Sequence, residues 1–216
     1  MNIIVRTYGG HFVTRPDTTW EKDNEDFFPP DFTESYEWTP VVFARVCKPG
    51  RSVGERFVRR YYDRVGYGVL LYPADHIGDG TEEYAEALTL DHTSFLPDPK
   101  LSIEEADGLS FTVKMDGVNI FEAEVQAASL LDNAVCEATK RLYIRTGDFI
   151  AVELADRTPL CIRHDGNREI SGSAGDNASM SFRIRVVLSG QSYSILVISG
   201  LTGAGNPHAD KYPPKT

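Results

Sequence analysis

Among the residues of this sequence that could do chemistry, His11 comes first. It follows the glycine-rich letters YGG just after an apolar N-terminal run. An imidazole in such a loop is a candidate general base because it can take up and release a proton near neutral pH. A lone histidine is nevertheless more often an ordinary surface or hydrogen-bonded side chain. The sequence therefore offers His11, with Tyr8 beside it, as a candidate only.

A second group of polar residues, Asp75, His76 and Asp79, follows another apolar run. These residue types can ligate a metal, but their spacing matches no standard ligand motif, and a polar turn explains them as well. The glycines of residues 200–205 follow a further apolar run without the helix that a phosphate site needs. No nucleophile-elbow, zinc-protease, P-loop or dinucleotide-binding motif occurs. Motifs alone therefore predict no enzyme class.

Composition and charge narrow the function classes. The 216-residue chain carries a formal net charge of −10, whereas binding of nucleic-acid phosphates needs a clustered basic face. The densest basic run, Arg56, Arg59, Arg60 and Arg64, has the spacing of one helix face. A solvated or ion-paired surface is the simpler interpretation of such a face. We therefore expect no nucleic-acid partner.

No membrane or export signal is expected either. The N-terminus MNIIVRTYGG lacks the apolar core of a signal peptide, and no run approaches the ~20 apolar residues of a membrane span. Cys47, Cys136 and Cys161 are odd in number, widely spaced and without CxxC pairing, so neither a disulfide framework nor a zinc site is expected. These features predict a cytoplasmic protein whose cysteines are small buried hydrophobes.

Strands and helices must position the candidate residues. Residues 1–8 and 41–48 are apolar runs that predict strands, and the polar residues 9–35 between them predict a loop. Ser52 and Glu55 have the spacing of a capping box, which predicts a helix before the next strand. That helix would lead the chain from one buried strand to the next.

The later part of the sequence also predicts strands and one helix. Alternation around Asp116-Gly117 in residues 109–125 predicts a β-hairpin, and residues 128–143 have the apolar periodicity of a helix. Further strands are predicted at residues 66–73, 148–154, 181–188 and 193–199. The order of these elements predicts an α+β fold, mostly β, with a mixed sheet.

Several stretches together resemble the fumarylacetoacetate hydrolase family, in particular its small single-domain members. Residues 44–69, ARVCKPGRSVGERFVRRYYDRVGYGV, look like the family's strand, helix and second strand. Tyr8 and His11 are in register with its Tyr-x-x-His loop, FFPPDF at residues 27–32 is similar to the approach to its metal strand, and residues 130–150 resemble its long helix and Gly-Asp-apolar strand.

This resemblance is strongest over residues 1–150. It implies a mixed β-sheet roll or sandwich like the family's C-terminal domain, with two or three helices, in a single domain of residues 1–201. Residues 202–216 are rich in glycine and proline and predict a loose tail.

The family's chemistry is implied by the resemblance alone. Its members cleave or decarboxylate acylpyruvate-type and β-diketo acids with Mg²⁺ or Mn²⁺, which a Glu-x-Glu pair and an Asp hold on separate strands. A hard dication of this kind needs carboxylate oxygens and polarises the enolate-forming oxygens of the substrate. A histidine paired with a glutamate activates water.

Carried over residue by residue, this pattern loses its metal ligands. Counting back without gaps from Arg45, the Glu-x-Glu positions fall on Thr39 and Val41, and the Asp two residues after Gly68 falls on Leu70. Two aliphatic side chains and one neutral hydroxyl leave nothing to offset the dehydration of Mg²⁺. A two-residue slip of the register would keep Glu37 as a ligand, but only one of three anionic ligands would then remain. We therefore expect no metal cofactor.

Three of the positions that the resemblance implies remain as candidates. They are His11 as a catalytic residue, and Tyr8 and Asp75 as ligand-binding residues. The leading hypothesis is a catalytically degenerate relative with a binding, scaffolding or regulatory role, either a homodimer or a heterodimer with an active relative. The alternative is a hydrolase or lyase for the family's substrates, acting through His11 or through the relocated acids Glu37, Asp75 and Glu153.

Overall fold

The computed structural model describes residues 1–77, 80–162, 166–175 and 180–188. Four features named from the sequence lie outside these residues: Asp79, the strand at 193–199, the glycines of 200–205 and the tail at 202–216. No helix in the described part of the chain has the length and apolar character needed to cross a membrane.

Strands dominate the described residues. They are β1 (Asn2–Arg6), β2 (Phe12–Pro16), β3 (Trp20–Glu21), β4 (Ser35–Val46), β5 (Tyr62–Pro73), β6 (Ser94–Phe95), β7 (Leu109–Met115), β8 (Val118–Val125), β9 (Phe149–Glu153), β10 (Thr158–Ile162), β11 (Arg168–Ala174) and β12 (Met180–Val186). The α-helices are α1 (Thr81–Ala87), α2 (Ile103–Ala106) and α3 (Ala127–Arg141). Short 3₁₀ helices occur at Asp17–Thr19, Glu55–Arg60 and Ala74–His76.

These strands form two sheets. The larger follows the order β2-β1-β9-β4-β5-β6-β3, with β10 also paired to β4, and the smaller follows β12-β11-β7-β8. β1 and β9 are parallel, whereas β4 and β5, each twelve residues long, are antiparallel. The architecture is thus the mostly β, mixed-sheet α+β fold that the sequence predicts.

Local signals correctly predicted the hairpin and the long helix. Asp116 and Gly117 have φ values of 49° and 81°, the left-handed pair that a tight hairpin turn between β7 and β8 requires. α3 buries Leu131, Val135 and Ala138 along one face, because apolar residues three and four apart share a side of a helix.

The predicted capping box at Ser52 is wrong. The segment is a 3₁₀ helix over Glu55–Arg60, and its N-cap residue, Gly54, makes no side-chain cap. Ser52 has a left-handed φ of 52°, and its backbone N–H donates to the carbonyl of Thr139 on α3 at 2.8 Å. The contact with α3, and not the local capping signal, therefore determines the conformation of Ser52.

The loop predicted for residues 9–35 is also wrong in part. β2 lies within it and pairs antiparallel with β1 from Asn2–Pro16 to Arg6–Phe12. β3 follows and pairs with β6. The polar composition of this segment indicated an exposed loop, but its strand pairing with β1 and β6 gives it regular structure, and its polar residue Arg15 is fully buried.

Candidate functional site

The three positions that the resemblance assigns to metal ligands meet on one face of the larger sheet. Thr39 of β4 is the cross-strand partner of Leu70 of β5, and Val41 lies two residues further along β4. Because strand residues two apart share a face, all three side chains point the same way. All three are fully buried. The register worked out from the sequence therefore describes positions that are neighbours in space.

Glycine at residue 68 helps to close this part of the sheet. It pairs with Val41 in β4, and a Cβ at this position would overlap the carbonyl oxygen of Phe95 in β6. A larger residue would therefore push β6 away from β5.

These residues do not fit the metal that the family uses. Mg²⁺ and Mn²⁺ require oxygen ligands, preferably anionic ones. Val41 and Leu70 have none, and the Thr39 hydroxyl already donates to the carbonyl of Ala155 at 2.7 Å. No group of three or more His, Cys, Asp and Glu side chains is arranged to hold a metal within the ranges that the structure describes.

A buried arginine lies beside the three positions. Arg15 of β2 donates from Nη2 to the carbonyl of Leu71 at 2.8 Å and from Nη1 to Ser94 Oγ at 3.1 Å. Ser94 is the cross-strand partner of Leu70, so the guanidinium lies against the strands on both sides of that residue. Its Nη1 also donates to the carbonyl and hydroxyl oxygens of Thr93. Arg15 Nε is buried without a hydrogen-bond partner.

Tyr72 connects this arginine to a buried carboxylate. The Arg15 Cζ atom lies 4.2 Å from the centroid of the Tyr72 ring, and that of Arg157 lies 4.6 Å from it. The Tyr72 hydroxyl donates to Glu153 Oε1 at 2.6 Å, and the Tyr8 backbone N–H donates to Glu153 Oε2 at 2.8 Å. Burial raises the pKa of Tyr72, with the carboxylate acting in the same direction and Arg15 opposing it.

The result is a compact polar network of Arg15, Tyr72 and Glu153. Both carboxylate oxygens accept a hydrogen bond, and the phenol stays neutral because its pKa is raised. Inside a protein such a network is strong when its members are satisfied and costly when one is removed. A buried guanidinium and a buried carboxylate therefore lie next to the positions at which the resemblance expects a dication and three carboxylates.

Solved structures share this architecture at low sequence identity. A fumarylacetoacetate hydrolase family protein from Yersinia pestis CO92 matches with a TM-score of 0.72 and 10% identity, over 86% of this chain and 92% of that chain. Fumarylpyruvate hydrolase from Pseudomonas aeruginosa, solved with Mn²⁺ and pyruvate, matches with a TM-score of 0.73 and 11% identity, over 88% and 90% of the two chains. 2-Hydroxyhepta-2,4-diene-1,7-dioate isomerase from Mycobacterium marinum matches with a TM-score of 0.73 and 11% identity, over 86% and 74%.

The chain has the fold of the fumarylacetoacetate hydrolase family. No sequence profile of a protein family and no curated protein matches it. The family fold is therefore recognised here by its shape, and the chemistry of this chain must be argued from its own residues.

The structure shows the surroundings of Tyr8, His11 and Asp75, the candidate residues that the resemblance leaves. Tyr8 and His11 are exposed, Tyr8 by 61%, and the hydrogen bond that Tyr8 donates to Glu153 comes from its backbone. Asp75 accepts backbone N–H groups of Glu34 and Ser35 at 2.9 and 3.3 Å. Its carboxylate thereby holds the chain at the start of β4.

The three relocated acids are only partly brought together. Glu37 is the cross-strand partner of Tyr72, whose hydroxyl binds Glu153, so these two acids flank the same tyrosine. Asp75 is bonded to the start of β4 instead. The structure thus relates Glu37 to Tyr72 by strand register and Glu153 to Tyr72 by a hydrogen bond, and it directs Asp75 elsewhere.

Sequence reasoning missed the residues that fill this part of the fold. Arg15 was assigned to a loop, and Tyr72 and Arg157 were not singled out. The available signal was the period of two along β2, which puts Val13 and Arg15 on one face. An arginine on that face becomes notable only when the strand and its neighbours are known.

Proposed function

We propose that this chain is a catalytically degenerate relative of the fumarylacetoacetate hydrolases, which keeps the fold, lacks the metal chemistry and acts by binding or scaffolding. The observation that carries the proposal is the set Thr39, Val41 and Leu70. All three are fully buried, and none supplies an anionic oxygen where the resemblance expects a metal ligand.

Electrostatics supports the same proposal. A dication at this place would lose its hydration without gaining three carboxylates. It would also lie near the buried guanidinium of Arg15, which donates to the carbonyl of Leu71 and the hydroxyl of Ser94 on either side of Leu70. Two like charges in a poorly solvated interior repel each other strongly.

Metal and substrate binding test this proposal directly. Fumarylpyruvate hydrolase from Pseudomonas aeruginosa was solved with Mn²⁺ and pyruvate, so these are the matched probes. We expect calorimetric titration of the full chain with Mg²⁺ or Mn²⁺, with and without pyruvate, to show no micromolar binding. We also expect no metal-dependent hydrolysis of fumarylpyruvate. Micromolar metal binding would overturn the proposal.

The same assay decides the alternative of a hydrolase or lyase with relocated groups. Glu37 and Glu153 flank Tyr72, which is the arrangement that this alternative would use. Turnover of acylpyruvates that is lost in His11→Ala or Glu153→Gln would establish it. A Glu122→Gln variant, changed at an exposed carboxylate of β8, is the control and should leave such turnover unchanged.

A dimer, either with itself or with an active relative, is the partner that this proposal includes. Gel filtration of the chain alone and after mixing with an active relative from the same cell tests it. A species of monomer size in both samples would remove the partner from the proposal.

A further inference from the structure

A cavity of about 470 Å³ lies between β3, β6 and the loops at residues 25–32 and 90–92. Its volume falls in the range of small-molecule sites. Neither the resemblance nor the motifs of the sequence assign it a ligand.

This cavity is on the opposite face of the larger sheet from the metal positions. Ser94 is the cross-strand partner of Leu70, and Phe95, the next residue, is the partner of Val69. Because successive strand residues point to opposite faces, Phe95 lies on the face away from Leu70. Glu21, the partner of Phe95 in β3, lies on that face too.

The walls of the cavity are aromatic. Phe27 and Phe95 are buried, and their ring centroids lie 5.8 Å apart in an edge-to-face arrangement. Phe28 and Phe32 also line the cavity and are 61% and 58% exposed. Exposed rings beside a cavity offer apolar contact area and negative ring faces to a ligand.

The charge of the cavity is negative. Glu21 lies buried in its lining, with its Oε2 atom 3.1 Å from Nδ1 of His92. Glu25, Asp26 and Asp91 add three more carboxylates. Among the described residues that line the cavity, His92 is the single basic side chain. Outside the lining, Arg185 reaches Asp26 at 3.5 Å in an exposed contact, and such contacts neutralise little. The carboxylates therefore outnumber the cations that face the cavity.

We propose that this cavity binds a small organic cation, an ammonium or guanidinium group carried on an apolar body. The aromatic walls would hold the apolar body and contribute cation–π attraction. The carboxylates would accept charge-assisted hydrogen bonds from the cationic head. The site lies on the other face of the sheet from Thr39, Val41 and Leu70, so the proposal is independent of whether those positions bind a metal.

Three matched probes test this proposal on the full chain: phenethylammonium, neutral 2-phenylethanol and anionic 3-phenylpropionate. We expect ligand-observed NMR titration to show the cation binding at least ten-fold more tightly than the alcohol, and the carboxylate binding not at all. Raising the salt concentration should weaken binding of the cation and leave that of the alcohol unchanged.

Variants assign the binding to the cavity. Asp91→Asn with Glu25→Gln changes two exposed carboxylates of the lining, which avoids a folding defect at buried Glu21, and should weaken binding of the cation several-fold. Phe28→Ala should weaken all probes that bind. Glu122→Gln, at an exposed carboxylate of β8, is the control and should change nothing.

Three outcomes would overturn the proposal. They are equal affinity for phenethylammonium and 2-phenylethanol, no binding of the cation at millimolar concentration, and binding that the lining variants leave unchanged. A lysine-containing peptide serves as a further arm, since binding of the peptide without binding of the small amine would show a protein-docking surface instead.

Discussion

Removing one hydroxyl group tests the buried network directly. Tyr72→Phe keeps the ring that Arg15 and Arg157 contact and deletes the donor to Glu153 Oε1, which is 2.6 Å away. Glu153 is buried, so water cannot replace the lost donor. The variant would leave one oxygen of a buried carboxylate unsatisfied.

The expected cost follows from that isolation. A hydrogen bond to a charged group contributes about 1.5–3 kcal/mol, and an unsatisfied buried partner adds to the loss. We therefore expect Tyr72→Phe to lower the free energy of unfolding by about 2–3 kcal/mol. Urea unfolding followed by circular dichroism would show this as a lower midpoint with an unchanged slope.

Tyr62→Phe is a matched control within the same chain. The Tyr62 hydroxyl donates to Asp132 Oδ1, also at 2.6 Å, but the Asp132 side chain is 27% exposed and keeps the Arg59 guanidinium. Water and Arg59 can replace the lost donor, so we expect a cost of about 1 kcal/mol or less. Equal costs for the two variants would refute the claim that the network around Tyr72 is isolated from solvent.

Three further predictions follow from the structure. Leu70→Asp should bind neither Mg²⁺ nor Mn²⁺ in a calorimetric titration, since Thr39 and Val41 are unchanged, and micromolar metal binding would contradict this prediction. The variant should also unfold at a lower urea concentration, because a carboxylate replaces a fully buried leucine, which costs about 3 kcal/mol or more in the free energy of unfolding. Burial raises the pKa of Tyr72 above its ordinary value of 10.0, so the stability it contributes is complete below pH 10 and is lost as the pH rises further, by up to about 1.4 kcal/mol per pH unit. Tyr72→Phe should remove this part of the fall in the free energy of unfolding at alkaline pH. An unchanged dependence on pH would contradict this prediction. Ser102→Ala should lower the free energy of unfolding in urea by about 1 kcal/mol, because Ser102 and Glu105 form the capping box of α2. Ser52→Gly should cost nothing, because the left-handed φ of Ser52 suits glycine. A larger cost for Ser52→Gly than for Ser102→Ala would restore the capping role that the sequence predicted for Ser52.

The sequence by itself determined the features that depend on neighbouring residues. The turn at Asp116-Gly117 needs only two residues in left-handed conformations, and α3 needs only apolar residues at helical spacing. The assignment of the resemblance's ligand positions to Thr39, Val41 and Leu70 by counting along the chain stays a prediction. The structure shows that these three residues are neighbours on β4 and β5.

Tertiary structure alone decided the contacts between residues far apart in the chain. Arg15 is a buried residue because β2 pairs with β1 and its guanidinium reaches Leu71 and Ser94 on other strands. Glu153 meets Tyr72 across 81 residues of sequence. Such groups become partners only when the sheet brings their strands together, and the desolvation that makes the partnership matter exists only in the folded state.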